Sequence, residues 1–170
     1  MFKIKICMIC FLILLSCSAE SDKELFESAR KNLSENKIEE AVEGFSQILD
    51  DYPQSEFVEE TLFELGSIYL NKADKNISGQ ESLKKGIEYY QKIYKKYPAS
   101  KEAPKALFMT AFIQANQLNE TVKAEENYKL FLHKYPMHSL AKDAETELGI
   151  LGMNPEEVLS RAQSGQNFEQ

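Results

Sequence analysis

Three segments of this 170-residue chain end in the same dipeptide, Tyr52-Pro53, Tyr97-Pro98 and Tyr135-Pro136. That punctuation constrains the fold more than any other feature. Counting back from each proline gives one template. Twelve residues before it stands a small residue (Ala41, Gly86, Ala124), and eight before it an aromatic (Phe45, Tyr90, Tyr128). Five before it comes Ile48, Ile93 or Phe131, and four before it Leu49, Tyr94 or Leu132. Positions four, seven, eight and eleven beyond the small residue fall on one face of a helix with 3.6 residues per turn. Each segment therefore reads as an amphipathic helix that proline ends, because proline has no N–H to donate and its ring clashes with the preceding turn. Ser55, Ser100 and Ser139 follow the prolines, where a hydroxyl can cap the next helix.

Small residue, aromatic four later, apolar three later and proline five later resembles the second helix of the tetratricopeptide repeat. Leu65-Gly66-x-x-Tyr69 matches that family's first-helix Leu-Gly-x-x-Tyr, with Ala29 and Ala111 as the small first-helix residues of the outer units. The resemblance covers residues 23–151. It implies an all-α fold: a right-handed superhelical stack of antiparallel helix hairpins, three tetratricopeptide-type repeats plus C-terminal capping helices. The prolines stand 45 and 38 residues apart, beyond the roughly 34 of that repeat. The polar stretch 71–80 absorbs the larger excess as a loop inside unit two, and Ser78-x-x-Glu81 restarts a helix as a capping box.

The predicted helices are 23–35, 37–51, 55–72, 81–96, 101–117, 120–134, 139–151 and 155–164. Gly152 suits a helix C-terminus, and Asn154-Pro155-Glu156-Glu157 sets an N-cap, a first-turn proline and a third-position acid in order. The last helix is expected to cap the stack by covering apolar surface. Residues 165–170 read as a flexible tail.

The N-terminus is of another kind. Lys3 and Lys5 precede an unbroken apolar run from Ile6 to Leu15, which is an export signal too short to span a bilayer. Leu14-Leu15-Ser16-Cys17 resembles the lipobox of bacterial lipoproteins. That resemblance implies removal of residues 1–16, acylation of Cys17 and a short linker 17–22 before the repeat domain 23–164. Several acyl chains, at about 0.8 kcal/mol per buried methylene, make a lasting tether without a spanning helix. Cys7 and Cys10 fall inside the removed segment, so their spacing carries neither redox nor metal chemistry, and the mature chain has no disulfide.

Without the signal, 18 basic side chains face 27 acidic ones, a net of −9, which argues against nucleic acid as a partner. No nucleotide-binding glycine pattern occurs. His133 and His138 straddle Pro136 without cysteines or organised carboxylates, and read as surface residues beside a turn. Neighbouring acids such as Glu39-Glu40 and Glu59-Glu60 point about 100° apart on a helix and do not converge on one substrate atom. The expectation is a non-enzyme with no cofactor beyond the lipid on Cys17.

In the resembled family, first helices line a groove that meets peptides or partner helices. Phe26, Phe63 and Phe108 recur three residues before Ala29, Gly66 and Ala111, with Tyr69 and Phe112 on or near the same face. These five are the groove candidates. Packing of repeat on repeat explains the recurrence equally well, and helical spacing alone does not separate the two. Residues 39–64 hold nine acids and no lysine or arginine, whereas 84–105 hold seven lysines, a division that suits solvated faces or steering of a partner.

A lipobox joined to repeats ending in Tyr-Pro resembles BamD-type lipoproteins of the outer-membrane barrel-assembly machinery, and also the repeat domain of the periplasmic Tol-Pal-associated cell-division coordinator. The implied function is a lipid-anchored periplasmic adaptor on the outer membrane that binds envelope proteins or peptides, barrel-assembly subunits among the candidates. Ser18 fits outer-membrane sorting. The alternative is a peptidoglycan- or cell-division-associated accessory lipoprotein.

Overall fold

The computed structural model describes residues 21–71 and 77–163. Residues 1–16, Cys17, Ser18, the central part of the predicted 71–80 loop and the tail 165–170 lie outside the described residues. Eight helices and no strand occur among those described: α1 Asp22–Ser34, α2 Ile38–Asp51, α3 Val58–Leu70, α4 Gly79–Lys96, α5 Ala103–Asn116, α6 Thr121–Lys134, α7 Ala141–Ile150 and α8 Pro155–Gln163. From α1 to α7 each helix packs on the next, giving the stack of hairpins α1–α2, α3–α4 and α5–α6.

The helix ends are set by local chemistry. Ser21 and Glu24 form a reciprocal capping box, with the Glu24 N–H donating to Ser21 Oγ at 3.2 Å. Asn154 and Glu157 form another, at 2.8 and 2.9 Å. Ser78 caps α4 by accepting the Glu81 N–H at 3.2 Å, so this helix begins at Gly79, two residues before the predicted start. Asn36 (φ 59°) and Asn119 (φ 54°) turn the chain inside units one and three, in the left-handed conformation that asparagine tolerates best after glycine. Gly152 takes φ 82° after α7.

The three Tyr-Pro turns are built alike. Tyr52, Tyr97 and Tyr135 share a φ of −127° to −131° and a ψ of 50° to 58°, and each donates its N–H to the carbonyl four residues back. The serines do not cap the following helices, however. The N-cap positions are Phe57, Glu102 and Leu140, none with a side-chain bond. Ser55 and Ser100 act two residues earlier, where each Oγ accepts the N–H two residues on, at 3.1 and 3.3 Å. In the third turn the aligned residue is His138, not Ser139, and its Nδ1 accepts the Leu140 N–H at 3.1 Å. An imidazole nitrogen does there what a hydroxyl does elsewhere.

Within unit two the small residues are both glycine, and the helices approach closely there. A Cβ on Gly86 would stand 2.6 Å from Leu70 Cγ and 2.9 Å from the Gly66 carbonyl oxygen, and one on Gly66 would collide with the Tyr90 ring. The core forms two clusters, Phe26, Phe45, Leu65 and Tyr69 with their neighbours, and Leu62, Tyr94, Leu107, Phe108 and Phe131 with theirs. Helix α3 belongs to both and so ties unit one to the rest.

Closure at the C-terminal end differs from expectation. Helix α7 buries Ala144 and lays Leu148 against the core. No α8 residue of described burial is buried, and Leu159 is 61 % exposed. Arg161 fastens α8 by donating to the Gly149 carbonyl at 2.8 Å. With α7 already covering the core, α8 is held by a charge-assisted bond and leaves its leucine outside.

Candidate protein-binding surfaces

The five groove candidates do not share one surface. Phe26 is 1 % exposed, stacked on Phe57 with ring centroids 4.7 Å apart and edge-on to Phe45. Phe108 lies edge-on to Tyr128 and Phe131 at 5.8 Å and is buried. Tyr69 is buried against Tyr89 at 5.7 Å. These three rings are committed to packing, at about 1.5–3 kcal/mol each for a fully buried large side chain. Phe63 and Phe112 remain half-buried. Phe63 stacks one face on Tyr90 at 5.1 Å and has the Lys105 ammonium 4.9 Å from its centroid.

Beside Lys105 at the Phe63 ring, the acids Glu60 and Glu64 flank this residue in the α3 sequence. Arg30 of α1 bonds Glu60 of α3 at 3.3 Å. Burial pushes the Glu64 carboxyl above its ordinary range; Arg30 pulls it back, and Glu60 and Glu102 push it further. Partly exposed ion pairs contribute only about 0–1 kcal/mol, so a partner's charges can replace them at little cost. A half-exposed aromatic with a lysine ammonium against its ring suits a protein ligand.

A second surface was not foreseen from the sequence. A cleft of about 440 Å³ opens where α2, α3 and α4 meet. Ser46, Leu49, Asp50 and Pro53 line one wall, Val58 and Leu62 the floor, and Tyr89, Lys92, Lys96 and Tyr97 the other wall. Lys92 holds its ammonium 5.0 Å from the Tyr89 ring centroid, and burial raises the Tyr89 hydroxyl, with Tyr69 adding to the effect. Neither Phe63 nor Phe112 lines this cleft. The signal that could have found it is the template position four before the proline, where Leu49 stands in unit one and the larger Tyr94 in unit two.

His133 is exposed, whereas His138 is half-buried, fastened into its turn and edge-on to Phe131 at 5.9 Å. Among the described residues no group of three or more His, Cys, Asp or Glu could hold a metal ion. Nor is any described helix long and apolar enough to cross a membrane. Lipid attachment at Cys17 falls outside the described residues.

Comparison with known proteins gives one family: YfiO, described as outer membrane lipoprotein, matches residues 18–151. No curated protein matches the chain significantly.

Proposed function

The chain belongs to the YfiO family of outer membrane lipoproteins, and from that premise we propose that it is a scaffold, acylated at Cys17, that gathers envelope proteins at the periplasmic face of the outer membrane. Barrel-assembly subunits are the partner class. The family match across the whole hairpin stack carries this reading. The half-exposed Phe63, with the Lys105 ammonium against its ring, supports it by supplying an aromatic anchor of the sort that dominates protein interfaces. The work of such a protein is recognition rather than covalent chemistry, and the lipid on Cys17 is the one group it needs.

The test is photo-crosslinking in cells from Phe63 and Phe112, beside palmitate labelling of the parent and of Cys17→Ala. The expected result is label on the parent alone and capture of barrel-assembly subunits from the membrane fraction. Retention on purified sacculi without any protein partner, or capture confined to division proteins, would replace this reading with the peptidoglycan- or division-associated alternative.

A further inference from the structure

Helix α4 carries Lys85, Tyr89, Lys92 and Lys96 along one stripe, at offsets of four, seven and eleven residues. The aligned stripe on α2 is Glu40, Gly44, Gln47 and Asp51, and on α6 it is Lys123, Asn127, Leu130 and Lys134. The run of three lysines around a tyrosine therefore belongs to α4 alone. Its lower part, Tyr89, Lys92 and Lys96, forms one wall of the cleft over Leu62, and the opposite wall carries Asp50. One wall thus carries two lysines, the other a single acid, and the floor is apolar.

We propose that this cleft docks an amphipathic helix of a partner protein, a helix with acidic residues along the flank that meets α4 and aliphatic side chains pointing into the cleft. A volume of about 440 Å³ holds a few aliphatic side chains, not a helix, so the ligand lies across the mouth and inserts its apolar face. Lys92 and Lys96, the two lysines of the cleft wall, stand one turn apart, roughly 6 Å along α4, a spacing at which a neighbouring helix can offer Glu or Asp from successive turns. A uniformly anionic ligand fits worse, because Asp50 faces it from the other wall. The surface is separate from the one around Phe63, and the inference holds whichever partner meets that face.

The experiment uses the purified full chain and a fluorescent helical peptide about 16 residues long, with leucines on one face and glutamates along one flank. Its counterpart has lysine in place of each glutamate. The glutamate peptide binds, and the lysine peptide binds roughly tenfold more weakly. Lys92→Glu with Lys96→Glu reverses that preference, and both residues are exposed enough for the fold to survive. Leu49→Tyr, which places in the cleft the ring that unit two carries at the aligned position, removes saturable binding of either peptide. Equal affinity for the two peptides, unchanged binding to both variants, or displacement of the peptide by soluble short-chain phosphatidylglycerol overturns the proposal. Crosslinks from Phe63 and Phe112 in the same variants stay as in the parent, so failure here is separable from failure of the scaffold reading.

Discussion

The junction of α2, α3 and α4, which carries the cleft, and the junction of α4, α5 and α6 are assembled from the same template positions but filled by side chains of different size. At the first, Leu49 faces Val58 and Leu62 and leaves space. At the second, Tyr94 takes the place of Leu49, Ala103 that of Val58 and Leu107 that of Leu62, and Tyr94 is only 2 % exposed. Tyr135 then closes the outer end by donating its hydroxyl to the Pro98 carbonyl at 3.2 Å, whereas its counterpart Tyr97 lines the cleft. Asn127, aligned with Tyr89, donates to Gln114 at 2.7 Å and stays within its own hairpin. The repeat template thus dictates the hairpins and turns, while the sizes of a few side chains between repeats decide whether a junction is sealed or open.

Tyr94→Leu breaks that difference most forcefully. It gives the second junction the first junction's residue, removes a ring that is almost wholly buried, and leaves Ala103 too small to fill the gap. A loss of about 3 kcal/mol is expected in denaturant melts, near the middle of the range for large-to-small core changes. A loss below about 1 kcal/mol would mean that the junction relaxes around the smaller side chain. The same ring has an alkaline signature. Burial pushes the Tyr94 hydroxyl up to about 12, with Thr110 and Gln91 pulling it partly back, and burial likewise pushes Tyr90 up to about 12. Both groups are neutral when protonated, so a raised folded value means that the folded chain keeps its proton longer. Their stabilisation is complete below the ordinary value of 10.0 and drains away as pH climbs from there towards 12. The midpoint of chemical unfolding should fall steeply over that window in the parent and less steeply in Tyr94→Leu.

A smaller effect compares hairpins rather than junctions. Units one and three carry alanine at both small positions, Ala29 with Ala41 and Ala111 with Ala124, whereas unit two carries Gly66 with Gly86. Gly86→Ala gains about 1 kcal/mol of helix propensity. It also drives a Cβ to 2.9 Å from a backbone oxygen, which α3 and α4 can relieve only by moving apart. The net expectation is a loss of about 2 kcal/mol. A neutral or stabilising result would show that Leu70 alone was in the way and that the glycines do not set the spacing.

Hairpin number, turn positions and most helix ends were legible in the sequence because they rest on local backbone chemistry. A proline stops a helix and Ser78 or Asn154 starts one whatever the tertiary surroundings. The depth of the recurring phenylalanines was not legible, since a core position and a groove position share the same helical spacing. What separates them lies on other helices: Phe57 covers Phe26, and Tyr128 and Phe131 enclose Phe108, while Phe63 has Tyr90 on one face and a lysine beyond. The third turn was misassigned because Ser139 matched by type, whereas position selects His138. Helix α8 was recognisable from its cap, but whether Leu159 is covered depends on how well α7 has already sealed the stack.

The least disruptive comparison concerns one methyl-sized change at the first junction. Thr61, Ala106 and Ala144 occupy the same place on the first helices α3, α5 and α7, and all three are fully buried. The threonine alone brings a hydroxyl, and Thr61 Oγ1 has no hydrogen-bond partner. Withdrawing a hydroxyl from water without replacing its bonds costs about 1–3 kcal/mol on mutational scales. Thr61→Val keeps the shape and β-branching of the side chain and exchanges the unpartnered hydroxyl for a methyl, so the chain should gain about 1 kcal/mol. Thr61→Ala, which copies the second junction, removes the same hydroxyl but also leaves a small void, and its gain should be less. If both variants were instead less stable than the parent, the hydroxyl would have to contribute a bond at the open junction that the sealed one does without. The difference between the two junctions would then lie in polar contacts as well as in side-chain size.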